Sequence, residues 1–260
     1  MHLAIYAATG AAAVVHTHSA EVIALSASRD ELPAIHYAIT GLGGPVRVAR
    51  YVRFGSDGLA VGSAGNISVR AGDIVAITPS GIGYADMRPG DVCLVTLDGT
   101  QILDGTGYDA AETPSSETPM HLAIYAATGA AAVVHTHSPE VIALSASRSE
   151  LPAIHYAITG LGGPVRVAPY VRFGSAGLAV AAVEALDGRS AVILRNHGAV
   201  SYGRDLAQAY DRALLLEWLA RTYRLALTYG EPVTLSAAEL DEVTVETRRR
   251  RYGERRSGRP

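Results

Sequence analysis

The chain has 260 residues, 48% of them hydrophobic, with a formal net charge of −3 at pH 7. This length supports one large α/β core with room for an appendage, and the slightly acidic balance argues against a nucleic-acid binder. The single cysteine, Cys93, excludes an internal disulfide framework and suits a reducing cytoplasm. No apolar run reaches membrane-spanning length and no basic leader opens the chain, so a soluble cytoplasmic protein is expected. All 22 basic residues are arginine. Without a lysine amine no Schiff base can form with a carbonyl substrate, so carbon–carbon chemistry beside a carbonyl would need a metal ion.

In chain order the first feature is a duplication. Residues 1–61 match residues 120–180 at a constant offset of 119, differing only at Ala20/Pro139, Asp30/Ser149, Arg50/Pro169 and Asp57/Ala176. Two copies at so long a spacing are not a solenoid array. The first copy begins at the counterpart of Met120 and stops before any counterpart of His197. His16 and His18 thus repeat His135 and His137 without the rest of a site, and read as non-catalytic. The alternatives are a second, weaker metal site and an exchange in which the first copy replaces the second. Arg50 stands where the second copy has a helix-breaking proline, which predicts a lead-in helix from about Val46 to Asp57. The stretch GSAGNISVR then reads as a glycine turn entering a strand. Beyond it, AGDIVAITPSGIGYADMRPGDVCLVTLDGTQI reads as strand, loop, strand and a hairpin turn at Asp98-Gly99. Cys93, within that second strand, reads as a small core residue. Asn66 and the pair Ser80-Gly81 fall in loops at strand ends, where ligands of α/β sheets gather; taken alone they are ordinary turn residues.

The stretch Pro114–Ser138, PSSETPMHLAIYAATGAAAVVHTHS, carries the densest chemistry. Thr118-Pro119 marks a helix start, with proline where its missing N–H costs nothing, and Gly129 marks the stop. Ser115, Ser116 and Glu117 therefore sit at a helix N-terminus. There, free N–H groups and the dipole favour an anion, and two hydroxyls make a phosphate seat. The run AAAVVHTH reads as a buried strand, on which His135 and His137 project from one face and converge on one ion. An H-x-H pair by itself is equally two histidines hydrogen-bonded at a strand end. Downstream, AVILRNHGAVSYG reads as a second buried strand ending in Asn196-His197-Gly198. A third histidine together with Glu117 makes the ligand set of an open metal site, most simply zinc, with a position left for water or substrate. Leu206–Leu227 reads as an amphipathic helix with Asp205 as N-cap, Gly230 as stop and Trp218 as a packing residue. The basic run Arg248–Arg251 is surrounded by acidic residues and reads as a solvated helix face or a subunit contact.

In this order, GSAGNISVR, ITPSGIGY, PSSE, HTHS, AIHYAITGLGGPVRVAPY and LRNHG resemble the class II aldolase/adducin family over about residues 50–230. The resemblance implies an α/β fold of three layers, with a central, largely antiparallel sheet flanked by helices, in a homotetramer with active sites between subunits. It divides the chain into a duplicated segment 1–49 of unknown role, an aldolase-like domain 50–230 and a C-terminal tail 231–260. It implies one zinc, or another divalent metal, per subunit on His135, His137 and His197, with Glu117 as general acid/base. The phosphate of a ketose would rest on Asn66, Ser80, Gly81, Ser115 and Ser116. Tyr156 resembles a tyrosine presented to a neighbouring subunit's site as proton donor, and Tyr252 one that closes over substrate from the tail. The activity implied is cleavage of a ketose 1-phosphate of the L-fuculose 1-phosphate type to dihydroxyacetone phosphate and a small aldehyde. A pentulose-phosphate 4-epimerase or a sugar-phosphate dehydratase is the nearest alternative, though an epimerase would be expected to carry Asp at Glu117. A non-enzymatic adducin-head-like module would lack the intact metal set. The chain departs from the family's pattern in the copied segment at its start and in Ser63-Ala64, where Thr-Ser or Thr-Gly is common.

Overall fold

The computed structural model describes residues 57–84, 86–103 and 112–250. His16, His18, Tyr252 and all but the last residue of the expected lead-in helix lie outside that range. Among the described residues eight strands follow in order: β1 Asn66–Ala71, β2 Ile74–Ile77, β3 Cys93–Thr96, β4 Ala132–Thr136, β5 Glu150–Leu151, β6 Val165–Ala168, β7 Ala191–Leu194 and β8 Gly198–Gly203. They form one sheet ordered β3-β2-β1-β4-β8-β7-β6-β5, antiparallel at every pairing except β6–β7. Among the described residues the helices are α1 Thr118–Ala127, α2 Pro139–Ser147, α3 Ala176–Ala185, α4 Leu206–Leu227 and α5 Ala237–Arg249.

The strand alternation sorts the core into layers. Val75, Ile77, Cys93, Val95, Val133, Val192 and Val200 face α1 and α3. Ala191, Ile193 and Ala199 face α2 and α4, and Ala132 and Val134 meet the first half of α4. β4 and β7 are buried along their whole length, as strands covered on both faces must be. Cys93 is a core residue, fully buried, its thiol pushed up to about 11 by burial and then by Glu112 and Asp91.

Local signals place most boundaries. Pro119 opens α1, and Asp205 caps α4 by accepting from the Gln208 N–H at 2.7 Å. The stretch AVILRNHGAVSYG differs from the expected single strand: it is a hairpin, β7 and β8, turning through residues 195–197. Asn196 sits there at φ 52, a left-handed conformation that asparagine tolerates better than most residues. The duplication supplies an internal comparison. Gly177–Val180 lies in α3 with Leu178 in the α1/α3 core. The same four residues at Gly58–Val61 form a turn, with Gly58 at φ 74 and Leu59 buried against the start of α4. Packing, rather than local propensity, decides between the two.

The N-terminus of α2, which leads away from His137, lacks a local side-chain cap. Glu217 of α4 reaches over instead, accepting from the Glu140 and Val141 N–H groups at 3.0 and 3.1 Å. A carboxylate on two orphan donors at the positive end of a helix stabilises it by about 1–2 kcal/mol. Glu217→Ala is expected to lower the unfolding free energy by that amount in urea denaturation, and Glu217→Gln, which keeps one acceptor, by roughly half as much.

Candidate active site

The polar side chains on the α1 face of the sheet begin with a cross-strand pair. Asn66, the first residue of β1, lies opposite His135 on β4, and Ser68 opposite Val133. His135 and Val133 share a face, so His135 points at α1, and His137, two residues on, follows it. The His137 N–H is pinned by the Leu59 carbonyl at 2.9 Å. His197 arrives from the β7–β8 turn, which Arg195 fastens to the end of α2 through the Ser145 carbonyl at 2.8 Å while the Asn196 N–H donates to Ser145 Oγ at 2.9 Å. Gly198 completes the approach: a Cβ there would lie 2.0 Å from the Thr136 carbonyl oxygen, so no larger residue fits.

These elements bring Glu117, His135, His137 and His197 together, one donor atom from each within 4.8 Å of the others. The three imidazole centroids stand 4.8 to 4.9 Å apart. His135 Nδ1 donates to the Ala199 carbonyl at 3.0 Å, which leaves its Nε2 lone pair facing inward. That Nε2 is 2.9 Å from His137 Nε2 and 3.0 Å from Glu117 Oε2. Glu117 Oε1 is buried without a hydrogen bond, with His197 Nε2 3.3 Å away. Ring nitrogens turned on one another beside an orphaned carboxylate oxygen are the arrangement a divalent cation relieves, and three nitrogens with one oxygen suit zinc or another first-row ion.

Electrostatics agree with that donor set. Burial by itself raises the Glu117 carboxyl, but His135, the hydrogen bond from Asn66 and His197 outweigh it and hold the group well below the usual carboxylate range. Burial pushes His137 down to about 4, with His135 and His197 adding to the effect, and lowers His197 as well. Neutral imidazoles are ready ligands.

A cleft of about 320 Å³ opens from this group. Asn66, Ser80, Gly81, Ser115 and Ser116 all line it. Two loops are stitched together to place them: the Ser80 N–H donates to the Thr113 carbonyl, the Ser115 N–H to the Thr78 carbonyl, and the Ser116 N–H to Ser80 Oγ at 3.0 Å. The structure differs from the expected seat in one respect. The Glu117 and Thr118 N–H groups are taken by Ser115 Oγ and the Ser115 carbonyl, so hydroxyls dominate the rim. Tyr156 does not line the cleft; it is 56% exposed on the surface, stacked on His155, whose ring meets half-exposed Trp218 edge-on.

Two features escaped the sequence reading. Phe173 lines the cleft, carried by Gly174, which packs at φ 69 against the Ser116 backbone, and no spacing pattern marks it. His121 is fully buried behind Asn66, with its Nε2 at 2.6 Å from Asn66 Oδ1 and its Nδ1 at 2.6 Å from Ser68 Oγ, which in turn meets Tyr125 OH at 2.7 Å. It follows Glu117 by one helical turn, a spacing that by itself does not set it apart from any other polar residue of a helix.

Fold and site together define an α/β protein with a candidate metal centre opening into a polar cleft. The family model described as Class II Aldolase and Adducin N-terminal domain matches residues 51–224, and again residues 1–61. The 5-methylthioribulose-1-phosphate/5-deoxyribulose-1-phosphate aldolase of Rhodospirillum rubrum is 39% identical over 72% of this chain and 82% of its own length. The L-fuculose phosphate aldolase of Escherichia coli K12 is 35% identical over 73% of this chain and 86% of its own. A solved L-fuculose 1-phosphate aldolase superposes with a TM-score of 0.71 at 34% identity, covering 75% of this chain and 91% of that one. The chain belongs to the class II aldolase and adducin family. With relatives named as aldolases, it is a lyase-type enzyme of that family.

Burial pushes His121 down to about 3 from an ordinary 6.5. The folded state therefore refuses a proton that the unfolded chain accepts below about pH 6.5. Stability contributed above that pH is lost as pH falls towards 3. Urea unfolding of metal-free protein is expected to show a loss of roughly 2 kcal/mol from His121 between pH 7 and pH 5, and the loss should shrink in His121→Asn.

Proposed function

We propose that the chain is a divalent-metal-dependent aldolase, with zinc as the ion. It cleaves a ketose 1-phosphate of the L-fuculose 1-phosphate type to dihydroxyacetone phosphate and a small aldehyde of the lactaldehyde type. The observation that supports this most is the meeting of Glu117 with three inward-facing histidine nitrogens at the mouth of a hydroxyl-lined cleft, in a chain of the aldolase family. His135, His137 and His197 hold the ion, which supplies Lewis acidity towards the ketose carbonyl. Ser80, Gly81, Ser115, Ser116 and Asn66 seat the phosphorylated half of the substrate.

In the condensation direction Glu117 takes a proton from C3 of dihydroxyacetone phosphate. The electron pair left at C3 forms the bond to the aldehyde carbon, and a tyrosine hydroxyl protonates the oxygen so generated. Tyr156, exposed on the surface, serves the site of a neighbouring subunit in a homotetramer, and Tyr252 closes over the substrate from the 231–260 tail. Cleavage retraces these steps. Residues 50–230 carry the chemistry, residues 1–49 are an appended copy, and the enzyme works in the cytoplasm.

The named relatives share a ketose phosphate and differ in the sugar. L-fuculose 1-phosphate and 5-deoxyribulose 1-phosphate therefore form the test pair, followed as release of dihydroxyacetone phosphate. Chelation is expected to abolish release and zinc to restore it; a folded, metal-loaded protein that releases none from either sugar sinks the aldolase reading. Glu117→Gln should keep the metal, measured by atomic emission, and lose roughly 10²- to 10⁴-fold in kcat.

A further inference from the structure

Glu117 lies at the end of a buried ladder in which α1 and β1 contribute side chains in turn. The order is Glu117, Asn66, His121, Ser68 and Tyr125, with successive contacts of 2.9, 2.6, 2.6 and 2.7 Å. The rungs fit because four residues of helix advance about 6 Å while two residues of strand advance about 6.6 Å. Positions 117, 121 and 125 on the helix therefore interleave with 66 and 68 on the strand. All five side chains are buried.

The polarity of the ladder follows from its carboxylate end. Ionised Glu117 only accepts, so Asn66 presents Nδ2 to it and turns Oδ1 towards His121. Oδ1 in turn only accepts, so His121 carries its hydrogen on Nε2; its Nδ1 then accepts from the Ser68 hydroxyl, and Ser68 Oγ accepts from Tyr125 OH. Were the Asn66 amide reversed, its oxygen would face the carboxylate. The carboxylate disfavours that reversal, and the His121 N–H donated to Oδ1 is the second contact that selects against it.

We propose that His121 is a positioning residue which, by donating from Nε2 to Asn66 Oδ1, locks the amide so that the Glu117 carboxylate stays anchored through Oε2. The proposal rests on the aldolase reading for its chemistry, though not for its geometry. Outer hydrogen-bond partners of this kind are worth roughly 10- to 100-fold in activity.

Two substitutions separate positioning from packing. Glutamine carries an N–H at the reach of imidazole Nε2, whereas asparagine reaches only as far as Nδ1. His121→Gln and His121→Asn are prepared metal-loaded and matched for metal content and melting temperature. Each is crystallised, and each is assayed for exchange of the dihydroxyacetone phosphate C3 proton with heavy water. In His121→Asn the Glu117–Asn66 contact should be lost and kcat for exchange should fall roughly 10- to 100-fold, with KM changed by less than about 3-fold. His121→Gln should restore the contact and most of the rate. Equal loss in both variants, or an intact Glu117–Asn66 contact in His121→Asn, overturns the proposal. A wild-type enzyme that exchanges no proton sinks the aldolase reading, while the two crystal structures still decide whether His121 orients Asn66.

Discussion

The site depends on one register, that of Asn66 on β1 against His135 on β4. Side chains alternate along a strand, so a one-residue slip would send Asn66, Ser68 and His135 to the α4 face and carry Ile67 and Val134 into the polar layer. That register is held from both sides. Val133 must reach the α1/α3 core while Ala132 and Val134 reach α4, and β8 fixes β4 on its other edge. The catalytic candidates thus inherit their positions from hydrophobic burial, which dominates folding energetics, and only their last few tenths of an ångström from hydrogen bonds.

Much of this was legible in the residues because the informative signals were local. Pro119 and Asp205 fixed helix starts, and the alternation of AVVHT placed His135 and His137 on one face. The order of strands was not local: nothing within β4 states that β1 and β8 will flank it, and the family resemblance implied only a largely antiparallel sheet. Phe173 and His121 were illegible for a related reason. Phe173 owes its place over the cleft to the packing of Gly174 on Ser116, a contact 58 residues apart in sequence. His121 looks like any polar residue in a helix until β1 is laid against it.

The duplicated segment makes the same point within one chain. The four residues Gly-Leu-Ala-Val end the first copy as a turn and open α3 in the second. Before them stand Asp57 and Ala176, one of the few positions where the copies differ. Ala176 is the first residue of α3, whereas the Asp57 carboxylate accepts from Tyr210 OH on α4 at 2.9 Å. One substitution therefore accompanies a change of partner. The turn it belongs to is useful, since Leu59 seals the α4 side of the core and its carbonyl holds the His137 N–H. The tail of the copy has been absorbed into the supports of the site.

Charge explains why a metal ion is required on the proposed reading. Among the described residues no arginine lines the cleft, whose polar surface is hydroxyl, amide and imidazole with the Glu117 carboxylate. A phosphorylated substrate brings more negative charge to an anionic base, and moving a C3 proton to Glu117 transfers the carboxylate's charge onto the substrate. The N-terminus of α1 offers only a partial positive charge, and His137 and His197, lowered by burial, offer none at neutral pH. A dication among the histidines would supply the strong positive charge that these groups lack, and the burial that keeps His137 and His197 neutral leaves them free to bind it. The absence of lysine is consistent with this economy: on the proposed reading a bound ion would be the electron sink, and no amine would be needed beside it.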